Sequence, residues 1–132
     1  MPVSITLLYG GALALWFMVL SVRVIQGRFG SGKPDLGDGG DPLMLRRIRS
    51  HANFAEYVPL ILVLMGFLEA SGTAPWIIHA LGGSLLVGRL LHGYAFSFTS
   101  KFVFGRSVGI MLTFTVLLVS GGLALLTGVR GL

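Results

Sequence analysis

The chain has 132 residues, room for one domain. It is 54% hydrophobic and only 11% charged, where a soluble domain carries roughly a quarter charged residues, so a soluble globular protein is excluded and an integral membrane protein is implied. With no cysteine there is no disulfide, thiolate metal site or cysteine nucleophile, and any thiol chemistry needs a thiol carried by a ligand. The net charge of +5 sits beside apolar segments rather than along a soluble face, which argues for membrane topology and against nucleic acid.

In chain order, four apolar segments run from Val3 to Ile25, roughly Ala52 to Ala70, Trp76 to Phe98 and Val108 to Val129. Each approaches the roughly 20 residues that carry a helix across about 30 Å of hydrocarbon. A transmembrane barrel needs segments of about ten residues with alternating polarity, and these are absent. The expected fold is an all-α membrane protein, a single four-transmembrane-helix bundle over residues 1–132.

No basic residue precedes the first segment, and Arg23 and Arg28 close it, so it reads as a span rather than a signal peptide. The stretch from Gly27 to Pro42, "GRFGSGKPDLGDGGDP", is glycine-rich and polar, hence a loop. Its start nearly spells a phosphate-binding P-loop, but Pro34 stands where the hydroxyl is needed and no strand precedes it. Asp35, Asp38 and Asp41 lack the spacing of a calcium loop, so no metal site is assigned. Arg28, Lys33, Arg46, Arg47 and Arg49 flank the first loop and Lys101 and Arg106 the third, whereas the middle loop has Glu69 and no basic residue. The positive-inside rule then puts the first and third loops in the cytoplasm and both termini on the opposite side.

The second segment is entered through "RSHANFAEYVP", Arg49 to Pro59. On a helix, Arg49, Asn53 and Glu56 fall within about 60° of one another, with Arg46 and Tyr57 flanking. Glu56 lies roughly 10 Å deeper than Arg49, and a bare carboxylate facing lipid costs on the order of 3 kcal/mol. It therefore needs a cation, in protein or in a watery pocket. Pro59 cannot donate to the carbonyl of Ala55, which frees that acceptor and favours a bend. In the third segment Arg89 and His92 share a face, and Gly82 and Gly93 lie near it and permit close approach of another helix. The scaffold reading of these residues is an interhelical Glu56–Arg89 salt bridge, with Arg46 and Arg49 snorkelling to headgroups. The functional reading is a cation-rich site with one carboxylate, which suits an anionic ligand that also carries an ammonium. Glutathione has two carboxylates, one ammonium and one thiol. Arginines would grip the carboxylates, and Asn53 and Glu56 would receive the amino group.

These residues resemble the MAPEG family, the membrane-associated proteins in eicosanoid and glutathione metabolism. "RSHANFAEYVP" matches its pattern of Arg, His or Gln, Asn, Glu and Pro; "VRVIQGR" and "GRLLHGYAFSFTSK" extend the likeness over nearly the whole chain. The resemblance implies a homotrimer with glutathione sites between neighbouring subunits near the cytosolic side. It assigns Arg28, Arg49, Asn53, Glu56 and Tyr57 to glutathione, with His51 reaching a site from the other face of its helix. Arg89, His92 and Tyr94 match family positions in helix three, His92 standing for a tyrosine. Lys101 falls where some members place the arginine that activates the thiol, and Phe29 where some have a second arginine. Activation is left to Lys101, Arg106 or His92.

The leading expectation is a membrane glutathione transferase, with peroxidase activity as an extension, acting on hydrophobic electrophiles that arrive through the bilayer. The alternatives are a non-catalytic member that binds lipid or another ligand and, more remotely, a small transporter.

Overall fold

The computed structural model describes residues 1–132 as four helices with no strand: α1 (Ser4–Arg28), α2 (Pro42–Ala70), α3 (Pro75–Ser97) and α4 (Val103–Arg130). Short connections make chain neighbours antiparallel. Arg23 at the end of α1 and Arg46 at the start of α2 donate to carbonyls at the end of α3, which puts residues 29–41 and 98–102 at one end of the bundle. Residues 71–74 lie at the other end, where Glu69 meets the start of α1. α2 and α3 pack against each other and against both outer helices, whereas α1 and α4 do not touch.

The four expected spans are not equivalent. α1, α2 and α4 are each long and apolar enough to cross a membrane, while α3 has the length at 23 residues but not the apolarity. The reason is His79, Arg89 and His92; Arg89 and His92 are buried among the helices, and the exposed His79, near the start of α3, meets the Tyr9 hydroxyl at 3.2 Å. Two helices also begin before their apolar runs. α2 begins at Pro42, well before Ala52, because Asp41 accepts from the Leu43 amide at 2.9 Å and Pro42 suits the first helical turn. The polar turns around Arg46 and Arg49 are therefore helical. α4 begins at Val103 rather than Val108. α2 continues through Pro59 without a break.

Lipid is as apolar as leucine, so burying leucine does not by itself decide which face turns inward. Small and hydroxyl residues do. Leu13, Leu20, Phe54, Ile61, Met65 and Leu85 fill the interior, but the close contacts are made at glycine. A Cβ on Gly82 would collide with the Tyr9 ring, and one on Gly93 would sit 2.7 Å from Nε1 of Trp16, so both let α1 lie close on α3. Gly88 and Gly109 oppose each other where α3 crosses α4, and a Cβ on Gly109 would lie 2.6 Å from the Gly88 carbonyl and 2.7 Å from His92. We therefore expect Gly109→Ala to cost about 1 to 3 kcal/mol by overpacking and to lower the unfolding temperature in detergent. Gly121→Ala, which adds its methyl into open space, should not.

Polar contacts close the bundle's ends. α1 has no capping side chain of its own; instead Glu69 of α2 accepts from the amides of Ile5 and Thr6 at 2.9 and 2.8 Å. That satisfies two of the donors every helix start leaves open. Arg46 donates to the carbonyls of Thr99 and Ala95 at 3.2 and 2.8 Å, and Arg47 to that of Arg23 at 3.1 Å.

Candidate functional site

Arg89 is the largest fully buried side chain in the molecule. Its helix is drawn against α1 by Trp16, whose Nε1 donates to the Arg89 carbonyl at 3.0 Å. The guanidinium points the other way, between α2 and α4. Nη1 donates to Oδ1 of Asn53 at 2.7 Å and reaches Oγ1 of Thr113 at 3.5 Å, and Nη2 meets Nδ1 of His92 at 3.3 Å. The group lies 5.6 Å from the Phe54 ring centre, and its Nε has no partner. No carboxylate neutralises it. Glu56 is instead paired with Arg49 on its own helix, at 3.7 Å with both side chains half exposed, and this is the molecule's one ion pair. The Glu56–Arg89 salt bridge of the scaffold reading is thus absent, because Asn53 lies between α2's charged face and the buried guanidinium.

The α2 stripe forms as its periodicity predicts. Arg49 and Glu56 are exposed, Asn53 is partly covered, and Tyr57 turns toward α4 with its ring edge-on to Phe114 at 5.3 Å. Asn53 connects the two parts, since it shares a face with the exposed pair and takes its hydrogen bond from the buried cation.

The other expected residues are not all gathered here. His51 lies on the opposite side of α2, stacked on Phe17 of α1 at 4.6 Å. Arg28 is turned back onto the first loop, where it donates to the carbonyls of Pro34 and Gly37 at 3.3 and 3.0 Å. Tyr94 is exposed and stacks on Phe98 at 5.7 Å, away from Arg89. Arg106 lies 5.5 Å from the centre of the Phe96 ring, and His92 packs on the same ring at 4.8 Å, so these two share a neighbourhood. Lys101 is exposed with no side-chain partner. Within the chain there are thus two sets: Asn53, Tyr57, Arg89 and His92 among α2, α3 and α4, with the exposed Arg49–Glu56 pair beside Asn53, and Arg28 and His51 toward α1.

Comparison with known proteins decides the family. The MAPEG family model matches residues 6–126. The chain belongs to the MAPEG family. It is 39% identical over 92 residues, covering 70% of each chain, to inner membrane protein YecN of Escherichia coli K12, and equally to YecN of Escherichia coli O6:H1. The name of this MAPEG relative records a membrane and no reaction. No solved structure matches. Family membership, the three apolar spans and this relative together make the chain an integral membrane protein.

Sequence reasoning missed three side chains around the MAPEG stripe. Thr113 is a buried hydroxyl in an otherwise apolar run, four residues after Gly109, to whose carbonyl it donates at 2.8 Å. A polar residue one turn from a close-packing glycine was the available signal. Phe54 and Phe96, beneath Arg89 and between His92 and Arg106, gave no signal, since an aromatic in a membrane helix faces lipid as readily as a cation.

Proposed function

We propose that this protein is a membrane-embedded glutathione transferase, assembled as a homotrimer whose ligand sites lie between subunits, with the first and third loops cytoplasmic. The observation that carries this reading is Arg89, a fully buried guanidinium with no carboxylate against it. An arginine at such depth costs about 3 kcal/mol on the lenient insertion scale, and one spent only on structure would be expected to meet an acid. With no acid of its own, it is assigned to a ligand carboxylate admitted beside Asn53, with Arg49 for a second carboxylate and Glu56 and Asn53 for the ammonium. The family includes glutathione transferases, which supports the same ligand.

The division of the site supports an oligomer, and three subunits is the number that the family resemblance implies. Arg28 and His51 lie on the α1 side of the subunit and Tyr57 and Arg89 on the α4 side. One subunit cannot bring both sets to one ligand. A neighbour placing its α1 side against the α4 side would join them and would cover the half-exposed Arg49–Glu56 pair, which lipid solvates poorly.

The chemistry asked of the site is to hold the glutathione sulfur as thiolate. The thiol is mostly protonated near neutral pH, and each pKa unit of depression corresponds to about 1.4 kcal/mol of preference for the anion. Arg106 and His92, which flank Phe96, take this role ahead of the isolated Lys101. The thiol proton passes to solvent, and sulfur then bonds to an electrophilic carbon with loss of its leaving group. The electrophile enters from the bilayer.

The test is ultraviolet difference absorbance on adding glutathione to the purified protein in mild detergent, followed by turnover with an aryl halide. A thiolate band that saturates with glutathione, together with conjugate formation, is expected. Saturable binding with no thiolate and no conjugate would make the protein a non-catalytic ligand-binding member instead.

A further inference from the structure

A second cationic site lies at the end of the bundle that carries residues 29–41, on the α1 side and separate from Arg89. The end of α1, the start of α2 and the end of α3 enclose a cavity of about 290 Å³ lined by Arg23, Arg47, Ser97 and Thr99 among others. No acidic side chain lines it, and neither arginine is in an ion pair. The two guanidinia spend only part of their donor capacity on the protein, Arg23 on the Ser97 carbonyl at 2.8 Å and Arg47 on the Arg23 carbonyl at 3.1 Å. Two further groups are left without a partner. Ser97 is 6% exposed and its Oγ makes no hydrogen bond, and Nε of Arg23 is buried and unpaired. A buried hydroxyl and a buried N–H with nothing to bond are costly unless a ligand completes them.

The chemistry of that ligand follows from the lining: an anion with several acceptor oxygens, held by arginines and a hydroxyl. Its source follows from what adjoins the cavity. Arg23 and Phe98 also line a second, more open groove of about 350 Å³, whose remaining wall is Met18, Val19, Val22 and Gln26 on an exposed side of α1. A polar, cationic cavity thus continues into an apolar groove that runs along a spanning helix. A free anion would use only the first; a phospholipid uses both.

We propose that this cavity and groove form a binding site for one anionic phospholipid, its phosphate between Arg23 and Arg47 and one acyl chain along Met18, Val19 and Val22. The site does not depend on the glutathione reading, since its arginines and hydroxyl are not in the Arg89 set and the two share only the Phe96 ring as a wall.

The molecule contains two tryptophans, and Trp16 stacks on Phe98 at 6.2 Å, so its fluorescence reports the groove. With Trp76→Phe as the background, the protein is placed in phosphatidylcholine nanodiscs doped with acyl-brominated phosphatidylglycerol or acyl-brominated phosphatidylcholine at equal mole fraction. The brominated phosphatidylglycerol is expected to quench Trp16 several-fold more effectively. An arginine near a membrane surface attracts anionic lipid by an amount equivalent to about a fivefold preference, so Arg47→Gln should reduce the preference roughly fivefold. Arg47→Lys should keep most of it, and Lys33→Gln, the same charge removed from the nearby loop, should leave it unchanged. Arg23→Gln repeats the test if its fold survives, and Arg47→Gln carries it alone otherwise. Equal quenching by the two lipids would overturn the proposal, as would a preference that Lys33→Gln lowers as much as Arg47→Gln. Millimolar inorganic phosphate that abolishes the preference would identify a free-anion site and overturn the lipid assignment.

Discussion

Replacing Glu56 with glutamine is expected to raise the glutathione dissociation constant roughly 10- to 100-fold while leaving the ligand-free protein nearly as stable as before. The substitution keeps size and removes the charge that would hold the ligand's ammonium, and a hydrogen bond to a charged group contributes about 1.5 to 3 kcal/mol. The small stability change follows from geometry. Glu56 is bonded to Arg49 on its own helix, half exposed, and holds no two helices together, and such exposed pairs contribute less than about 1 kcal/mol. Calorimetric titration with glutathione and thermal unfolding without it separate the effects. Unchanged affinity with a large fall in unfolding temperature would mean that Glu56 serves the scaffold.

Arg89→Met should show the opposite pattern to an ordinary core mutation: binding and turnover lost, the ligand-free fold retained or strengthened. Replacing a buried charge with an apolar side chain of similar length is often neutral or stabilising by about 1 to 4 kcal/mol. Here the buried cation has no carboxylate to repay its desolvation. Against this, Asn53 loses the donor at 2.7 Å and His92 a neighbour at 3.3 Å, at about 1 to 3 kcal/mol for an orphaned acceptor. The two terms are of similar size, so the unfolding temperature should hold or rise, while an anionic ligand loses the deepest positive charge of its site. A collapse of the fold with glutathione affinity intact would show that Arg89 is a structural strut, and the proposed function would lose its central observation.

How much of this was legible in the sequence differs between elements. The stripe of Arg49, Asn53 and Glu56 follows from helical periodicity alone, because those side chains are set by their own backbone, and the structure gives it as expected. The partner of Glu56 was not legible. Periodicity places Glu56 and Arg89 on faces of two helices, but which residue comes between them depends on how far those helices rotate against each other. That rotation is set by contacts across the pair, such as Arg46 of α2 on the carbonyls of Ala95 and Thr99 at the end of α3. The helical reading of Arg46 to Tyr57 and the end of the loop at Pro42 agree with an α2 that begins well before its apolar run. Helix and membrane end at different residues, and Asp41 caps the helix well outside the apolar run. The unequal polarity of α3 was visible in Arg89 and His92, but its enclosure by the three other helices was not.

The two polar contacts between α1 and α2 have a consequence for the loop that joins these helices. Glu69 holds the first amides of α1, and Arg47 holds the carbonyl of Arg23 near its last turn. They sit at opposite ends of one helix pair, and a slip of one helical turn, about 5.4 Å, would break both. The register of the hairpin is therefore fixed from within the bundle. Residues 29–41, which include five glycines with positive φ, need only span the gap. Apart from Asp41, which caps α2, and the Pro34 and Gly37 carbonyls that receive Arg28, this loop can take insertions or deletions without moving the helices it connects.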